Sequence, residues 1–316
     1  MLFRSIAGCA GSGKTMLAVK KVQQFCELGL NVLLVCFNAN LAEYLESRLY
    51  DATVSSFHGL CQQAAIQLGR NVRQESDQKK LFEEIYPQVL IEFAETTGRV
   101  YDAIVVDEGQ DFHENYWIAL ESLLKTDGYL YIFYDDNQNI FHGKTDFGGL
   151  IQEEPFSLNQ NCRNTKHIHN TVMKFHNDPS GIVSYAPEGH DPEWIGYTDQ
   201  ASMHKILQKT LHRLVNEEDV NAKDIVILTP KGKNRTSLTP GLKLGNFILS
   251  ERATSQPNQI MTTTIHRFKG LERKVVILAE FDSSVRFDLE MLMYIGCSRA
   301  RTHLIVLHDT ALLLGA

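Results

Sequence analysis

The sequence predicts an α/β protein of two domains, each a parallel sheet covered by helices on both faces. Three observations predict it. An apolar run, a glycine-rich loop and an amphipathic segment follow one another within residues 2–28. Strand-like and helix-like segments then alternate, which is the grammar of a parallel sheet. The same alternation resumes in the second half of the 316 residues, enough chain for two medium domains.

In order, Leu2 to Ala7 reads as a strand, and Met16 to Leu28 as a helix with Leu17, Val22, Phe25 and Leu28 apolar. Asn31 to Phe37 is a buried strand, Leu41 to Leu49 a helix, and Thr53 to Ser55 a short strand running into Phe57-His58-Gly59. Asp77 to Thr96 carries a helical stripe at 81, 82, 85, 86, 89, 90 and 93, and Pro87 inside it predicts a kink or split. A strand into Asp107, a helix over Glu114 to Leu124 and a strand over Tyr129 to Tyr134 complete the first half. The second half reads as a helix over Lys166 to His176, a long loop from Asn177 to Pro192, and a helix over Ser202 to Asn216. Strands follow at Asp224 to Thr229, Phe247 to Ser250, Ile260 to Thr264 and Lys274 to Glu280. A helix over Leu289 to Ser298 leads to a last strand, His303 to His308. The two domains join near residues 152–157, giving 1–154 and 155–316.

Composition excludes several classes. Apolar residues make up 43% and charged residues 22%, as in ordinary globular proteins. No apolar stretch approaches the roughly 18 residues of a membrane span, and the first residues lack a signal-peptide layout. The six cysteines form no C-x-x-C pair, which points to reduced thiols in a cytoplasmic protein. A net charge of −7 argues against holding nucleic acid through bulk positive charge, but leaves room for a local groove.

Gly8-Cys9-Ala10-Gly11-Ser12-Gly13-Lys14-Thr15 fits G-x-x-x-x-G-K-[ST] between a strand and a helix. Backbone N–H groups at Gly8, Gly11, Ser12 and Gly13 turn inward onto phosphate oxygens, and the helix N-terminus adds its positive end. Lys14 reaches the β- and γ-phosphates; Thr15 offers its hydroxyl to Mg²⁺. The cluster Asp107-Glu108-Gly109-Gln110-Asp111 after an apolar run then acquires a purpose. Crowded carboxylates repel unless a cation shares the site. Asp107 can hold the Mg²⁺ of a nucleoside triphosphate, and Glu108 can orient the attacking water.

Eight segments in order carry a family resemblance: GCAGSGKT, FNANLAEYLESRL, SSFHGL, VVDEGQD, FYDDNQNIF, LNQNCRNT, TTTIHRFKGLERKVVIL and YIGCSRARTHLIV. Together they resemble the UvrD/Rep-type superfamily 1 DNA helicases, and most of all the compact helicase module attached to NERD-type nuclease-related domains. The resemblance implies two RecA-like P-loop domains and an ATP- and Mg²⁺-dependent motor working 3′ to 5′ on single-stranded DNA in DNA repair. ATP would lie in the cleft between the domains, and a nuclease domain or subunit would be a partner. It makes Gln138 the γ-phosphate sensor and Arg163 and Arg299 arginine fingers. It places Gly270 and Glu272 against the nucleotide, with Glu272 on the ribose. Gln110 would couple nucleotide to DNA, and Asn38, His58, Phe141 and His266 would touch single-stranded DNA.

Departures set further expectations. Only seven residues precede Gly8, so the adenine-reading glutamine of the family is not among them, and Cys162 replaces the tyrosine that stacks on adenine. Weak discrimination between ATP and GTP follows. Phe141-His142-Gly143-Lys144 replaces an aromatic-rich run, removing one base-stacking platform. About 50 residues separate His58 from Asp107 and about 100 separate Arg163 from His266, so the large inserted subdomains of full-size relatives are absent or rudimentary. Two other readings compete: a small-molecule phosphotransferase, which leaves the second half without a task, and a regulatory, nucleotide-gated subunit with little catalysis.

Overall fold

The computed structural model of the chain describes residues 2–72, 75–138, 147, 149, 153–252, 256–285 and 288–312. The chain divides into two compact units, Met1–Asn159 and Gln160–Ala316.

The first unit runs β1 (Leu2–Gly8), α1 (Lys14–Glu27), β2 (Val32–Cys36), α2 (Ala39–Glu46), β3 (Thr53–Ser56), α3 (Phe57–Gln67), α4 (Gln78–Lys80), α5 (Tyr86–Thr97), β4 (Tyr101–Asp107), α6 (Glu114–Leu123), β5 (Leu124–Tyr134) and β6 (Phe156–Leu158). Its six strands lie in the order β3-β2-β4-β5-β1-β6, all parallel. Val32 to Cys36 and Ala103 to Val106 are buried throughout, which is why β2 and β4 read as unbroken apolar runs rather than alternating ones. The order makes β4, β5 and β1 neighbours, so the loops leaving their carboxyl ends meet outside the sheet. In open parallel sheets this is where ligands bind.

Pro87 has the predicted effect in a specific form. It stands in the first turn of α5, and a π-helical turn, Leu81–Ile85, separates α5 from α4. A proline lacks the N–H and crowds the carbonyl four residues back, and the widened turn absorbs both defects. Helix α3 extends the expected Phe57-His58-Gly59 turn; its buried stripe is Phe57, Leu60, Cys61, Ala64 and Ala65. Strand β6, not anticipated and lying in residues assigned to the second domain, pairs with β1 through Ile6–Phe156 and Gly8–Leu158. The first unit therefore ends at Asn159 instead of 154, because the sheet edge takes up these three residues.

The second unit runs β7 (Gln160–Asn161), α7 (Lys166–Met173), β8 (Val183–Ser184), β9 (Glu193–Tyr197), α8 (Gln200–His212), β10 (Ile225–Thr229), β11 (Lys243–Leu244), β12 (Phe247–Ser250), β13 (Gln259–Thr264), β14 (Arg273–Phe281), α9 (Leu289–Ser298) and β15 (Ala300–Asp309). Seven strands lie in the order β11-β12-β13-β10-β14-β15-β9, parallel except for the β11–β12 pair. Strand β9 was not anticipated, and the expected long loop contains β8, which pairs with β7. Both units are mixed α/β folds of RecA-like type, and no large inserted subdomain occurs among the described residues. No helix among the described residues is long and apolar enough to cross a membrane.

Candidate functional site

The first cluster stands at the carboxyl ends of β1, β5 and β4. The loop after β1 turns at Gly13, whose φ of +87° lies in the left-handed region that favours glycine. Close packing excludes a side chain at Gly8: a Cβ there would lie 2.5 Å from Ser12 Oγ. Helix α1 begins directly at Lys14, so its unpaired N–H groups face the loop. Lys14 is 6% exposed. Its Nζ donates to Gly8 O at 2.8 Å and Cys9 O at 2.9 Å, and lies 3.5 Å from Asp135 Oδ2.

Asp107 closes β4 and is fully buried. Its Oδ1 accepts the Glu108 N–H at 3.1 Å, and its carboxylate is hydrogen-bonded to the Thr15 side chain. Burial, and then the Glu108 carboxylate, push its pKa up to about 7, while Thr15, Lys14 and the Glu108 N–H pull the other way. Asp107 Oδ2 has no hydrogen-bond donor among the described residues. An orphaned, buried carboxylate oxygen next to a threonine hydroxyl fits a hard divalent cation. No group of three or more His, Cys, Asp or Glu suited to a metal occurs among the described residues, so such a cation depends on phosphate oxygens for further ligands.

Glu108 has φ +56° and ψ +42°, a conformation costly for any residue with a Cβ. Its carboxylate meets Gln110, whose Nε2 donates to Glu108 Oε2 at 2.6 Å. Gln110 Oε1 accepts the Asp135 N–H at 3.0 Å, and Gln138 Nε2 donates to Asp135 Oδ2 at 2.6 Å. Glu108, Gln110, Asp135, Gln138 and Lys14 thus form one buried line. The sequence reading missed Asp135, although it sits inside FYDDNQNIF, from which it took Gln138 and Phe141.

The second cluster lies in the other unit. Arg163 Nε pairs with Glu272 Oε2 at 2.7 Å, and Arg301 Nη1 stands 3.5 Å from Glu272 Oε1. Arg299 ends α9, is 1% exposed, and its Nε donates to Ile295 O at 3.0 Å. Asn164, also missed, joins these segments: its Nδ2 donates to Ser298 O at 3.0 Å and Ala300 O at 2.5 Å, while Asn161 Nδ2 donates to Asn164 Oδ1. Gly270, with φ +82°, follows a 3-10 turn over His266–Phe268.

The expected DNA contacts fall in different settings. Asn38 caps α2, its side chain accepting from the Asn40 N–H. His58 packs among Phe37, Phe57, Phe82, Tyr86 and Tyr116 and sits 3.2 Å from the Tyr116 hydroxyl. Burial lowers its pKa to about 4, so it is neutral at pH 7. Burial, and then Lys269, lower that of His266 as well. Phe141 lies outside the described residues.

Two family models match. An AAA domain covers residues 3–144, and a UvrD-like helicase C-terminal domain covers 259–307. No curated protein matches the chain. Among solved structures, the helicase of PRRSV shares 12% identity at a TM-score of 0.52, over 99% of this chain and 53% of that one. An Arterivirus nonstructural protein 10 (helicase) in complex with DNA shares 14% at 0.48, over 97% and 61%. A crystal structure of Arterivirus nonstructural protein 10 (helicase) shares 15% at 0.49, over 97% and 59%. The chain spans about half the length of the PRRSV helicase, and at that identity the likeness bears on fold. The AAA domain model over the front of the chain and the UvrD-like helicase C-terminal model over its back together support a UvrD/Rep-like superfamily 1 helicase.

Proposed function

We propose that this chain hydrolyses ATP to move 3′ to 5′ along single-stranded DNA, its two units acting as motor domains with the nucleotide between them. The observation that carries the reading is Asp107. Its buried Oδ2 has no donor among the described residues, and its carboxylate shares a cluster with Thr15, Lys14 and Glu108, where a magnesium-bound triphosphate would complete the charge balance. In this reading Lys14 and the loop N–H groups bind phosphate oxygens, and Thr15 and Asp107 hold Mg²⁺. When bound, the metal neutralises charge on the β- and γ-phosphates.

Glu108, fixed by Gln110, orients the attacking water and takes up its proton. Gln138 contacts the γ-phosphate. Arg163 and Arg299 neutralise charge that develops during transfer, and Glu272 anchors Arg163 as well as the ribose. Asn38, His58, Phe141 and His266 would line the path of the DNA, with His58 and His266 acting as neutral rings and not as cations. A nuclease domain or subunit is the proposed partner.

Steady-state ATP hydrolysis by the purified chain, with and without single-stranded DNA, tests this. DNA should stimulate turnover at least tenfold, and Glu108→Gln should reduce it by about 10³-fold, as removal of a single group acting on the transition state does. Turnover indifferent to DNA would sink the motor and favour a different substrate; nucleotide binding without turnover would favour the regulatory subunit.

A further inference from the structure

We propose that Asp135 is a positioning residue that competes with phosphate for the Lys14 ammonium while anchoring Gln138. The inference rests on reading the first-unit cluster as a triphosphate site. An ammonium has three N–H donors. Two from Lys14 go to main-chain carbonyls, of Gly8 at 2.8 Å and Cys9 at 2.9 Å, and the remaining side faces Asp135 Oδ2 at 3.5 Å. Both partners are nearly buried, at 6% and 2% exposure, so the attraction is poorly screened. A phosphate oxygen that takes Lys14 must draw it from this set, and Asp135 is the anionic member.

The same Oδ2 accepts Gln138 Nε2 at 2.6 Å, and Asp135 Oδ1 accepts the Asn137 N–H at 3.1 Å. Its own N–H is held by Gln110, which also holds Glu108. Asp135 therefore has two effects of opposite sign. Its charge holds Lys14 back from the nucleotide and repels phosphate, which weakens binding. Its geometry fixes Gln138 beside the Glu108 line, which supports turnover.

Equilibrium binding of fluorescent MgADP, with kcat and KM for ATP, separates these effects in two variants of the full chain. Asp135→Asn removes the charge: MgADP should bind at least fivefold tighter while kcat falls at least tenfold. Asp135→Glu keeps the charge but displaces the Gln138 anchor: affinity should stay within about twofold of wild type while kcat falls. Unchanged or weaker binding in Asp135→Asn overturns the proposal, as does equal tightening in both variants. A cooperative melt is required of each variant, and an Asp135→Asn chain that does not fold assigns the residue a structural role and overturns the proposal too. Wild-type protein that binds no MgADP or MgATP instead overturns the nucleotide-site reading, before any variant is compared.

Discussion

Each unit carries a buried carboxylate at the carboxyl end of a central strand, at or beside a residue whose backbone L-residues avoid, and the two have opposite surroundings. In the second unit Glu280 lies at a register shift of β14 with φ +65°. It accepts Thr229 Oγ1 and Thr236 Oγ1 at 2.6 Å on one oxygen, and the Ser237 N–H at 2.7 Å and Ser237 Oγ at 2.8 Å on the other. In the first unit Asp107 has an oxygen with no donor among the described residues, and its neighbour Glu108 carries the positive φ of 56°. A buried carboxylate with all its acceptor sites filled is a structural tie. One left short of donors costs folding free energy unless a ligand supplies positive charge. The distinction between scaffold and site lies in the donors, not in the acids.

The largest expected effects break this comparison directly. Glu280→Gln puts an amide NH₂ among four donors, and the second unit should lose roughly 3 kcal/mol. Asp107→Asn removes an under-satisfied charge, so protein without nucleotide should gain about 1 kcal/mol while hydrolysis is lost. Urea midpoints of the two variants should therefore move in opposite directions. Movement in the same direction would show that the donor count does not govern the two acids.

A smaller, pH-dependent effect sharpens the contrast within the first unit. His58 has its pKa lowered by burial to about 4, against an ordinary value of 6.5. The unfolded chain takes up the proton first. The stability that the neutral ring contributes is fully present above pH 6.5, is lost as pH falls from 6.5 towards 4, and changes no further below that. Full expression of the shift amounts to about 3 kcal/mol. His58→Phe should flatten the stability profile across that window, measured as urea midpoints at fixed ionic strength. An unchanged acid slope would assign it to other groups.

These cases also show what the sequence could reveal. The phosphate loop and Asp107-Glu108 were legible because their chemistry is local: a glycine pattern, a strand ahead and a helix behind. Glu280 was read only as the end of a strand, since its meaning depends on Thr236 and Ser237, more than 40 residues away and on an irregular loop. Asp135 was hidden for the same reason: Lys14, its partner, is more than 100 residues distant. His58 was read as a contact for DNA, and its packing against Phe82 and Tyr86 was not legible because they arrive from a helix that no local pattern ties to it. Strand β9 and the pairing of β6 with β1 are sheet-edge features, where burial is incomplete and the apolar signal faint.

The smallest expected effect concerns the base. Cys162, exposed beside Arg163, stands where the resemblance would place an aromatic ring against adenine, and its Sγ contacts only the Gln160 carbonyl at 3.8 Å among its described hydrogen bonds. A thiol offers no face to stack on. Stacking in any case tolerates every base, while selection between bases requires hydrogen bonds to their edges. The ratio of kcat/KM for ATP over GTP should then stay within about fivefold, or about 1 kcal/mol. Cys162→Tyr should tighten both nucleotides, by up to the roughly 1–3 kcal/mol of a base–aromatic stack, and leave that ratio nearly unchanged. A strong ATP preference in the wild type would mean that edge contacts exist elsewhere. A preference that appears only with the tyrosine would mean that the phenol itself reads the base.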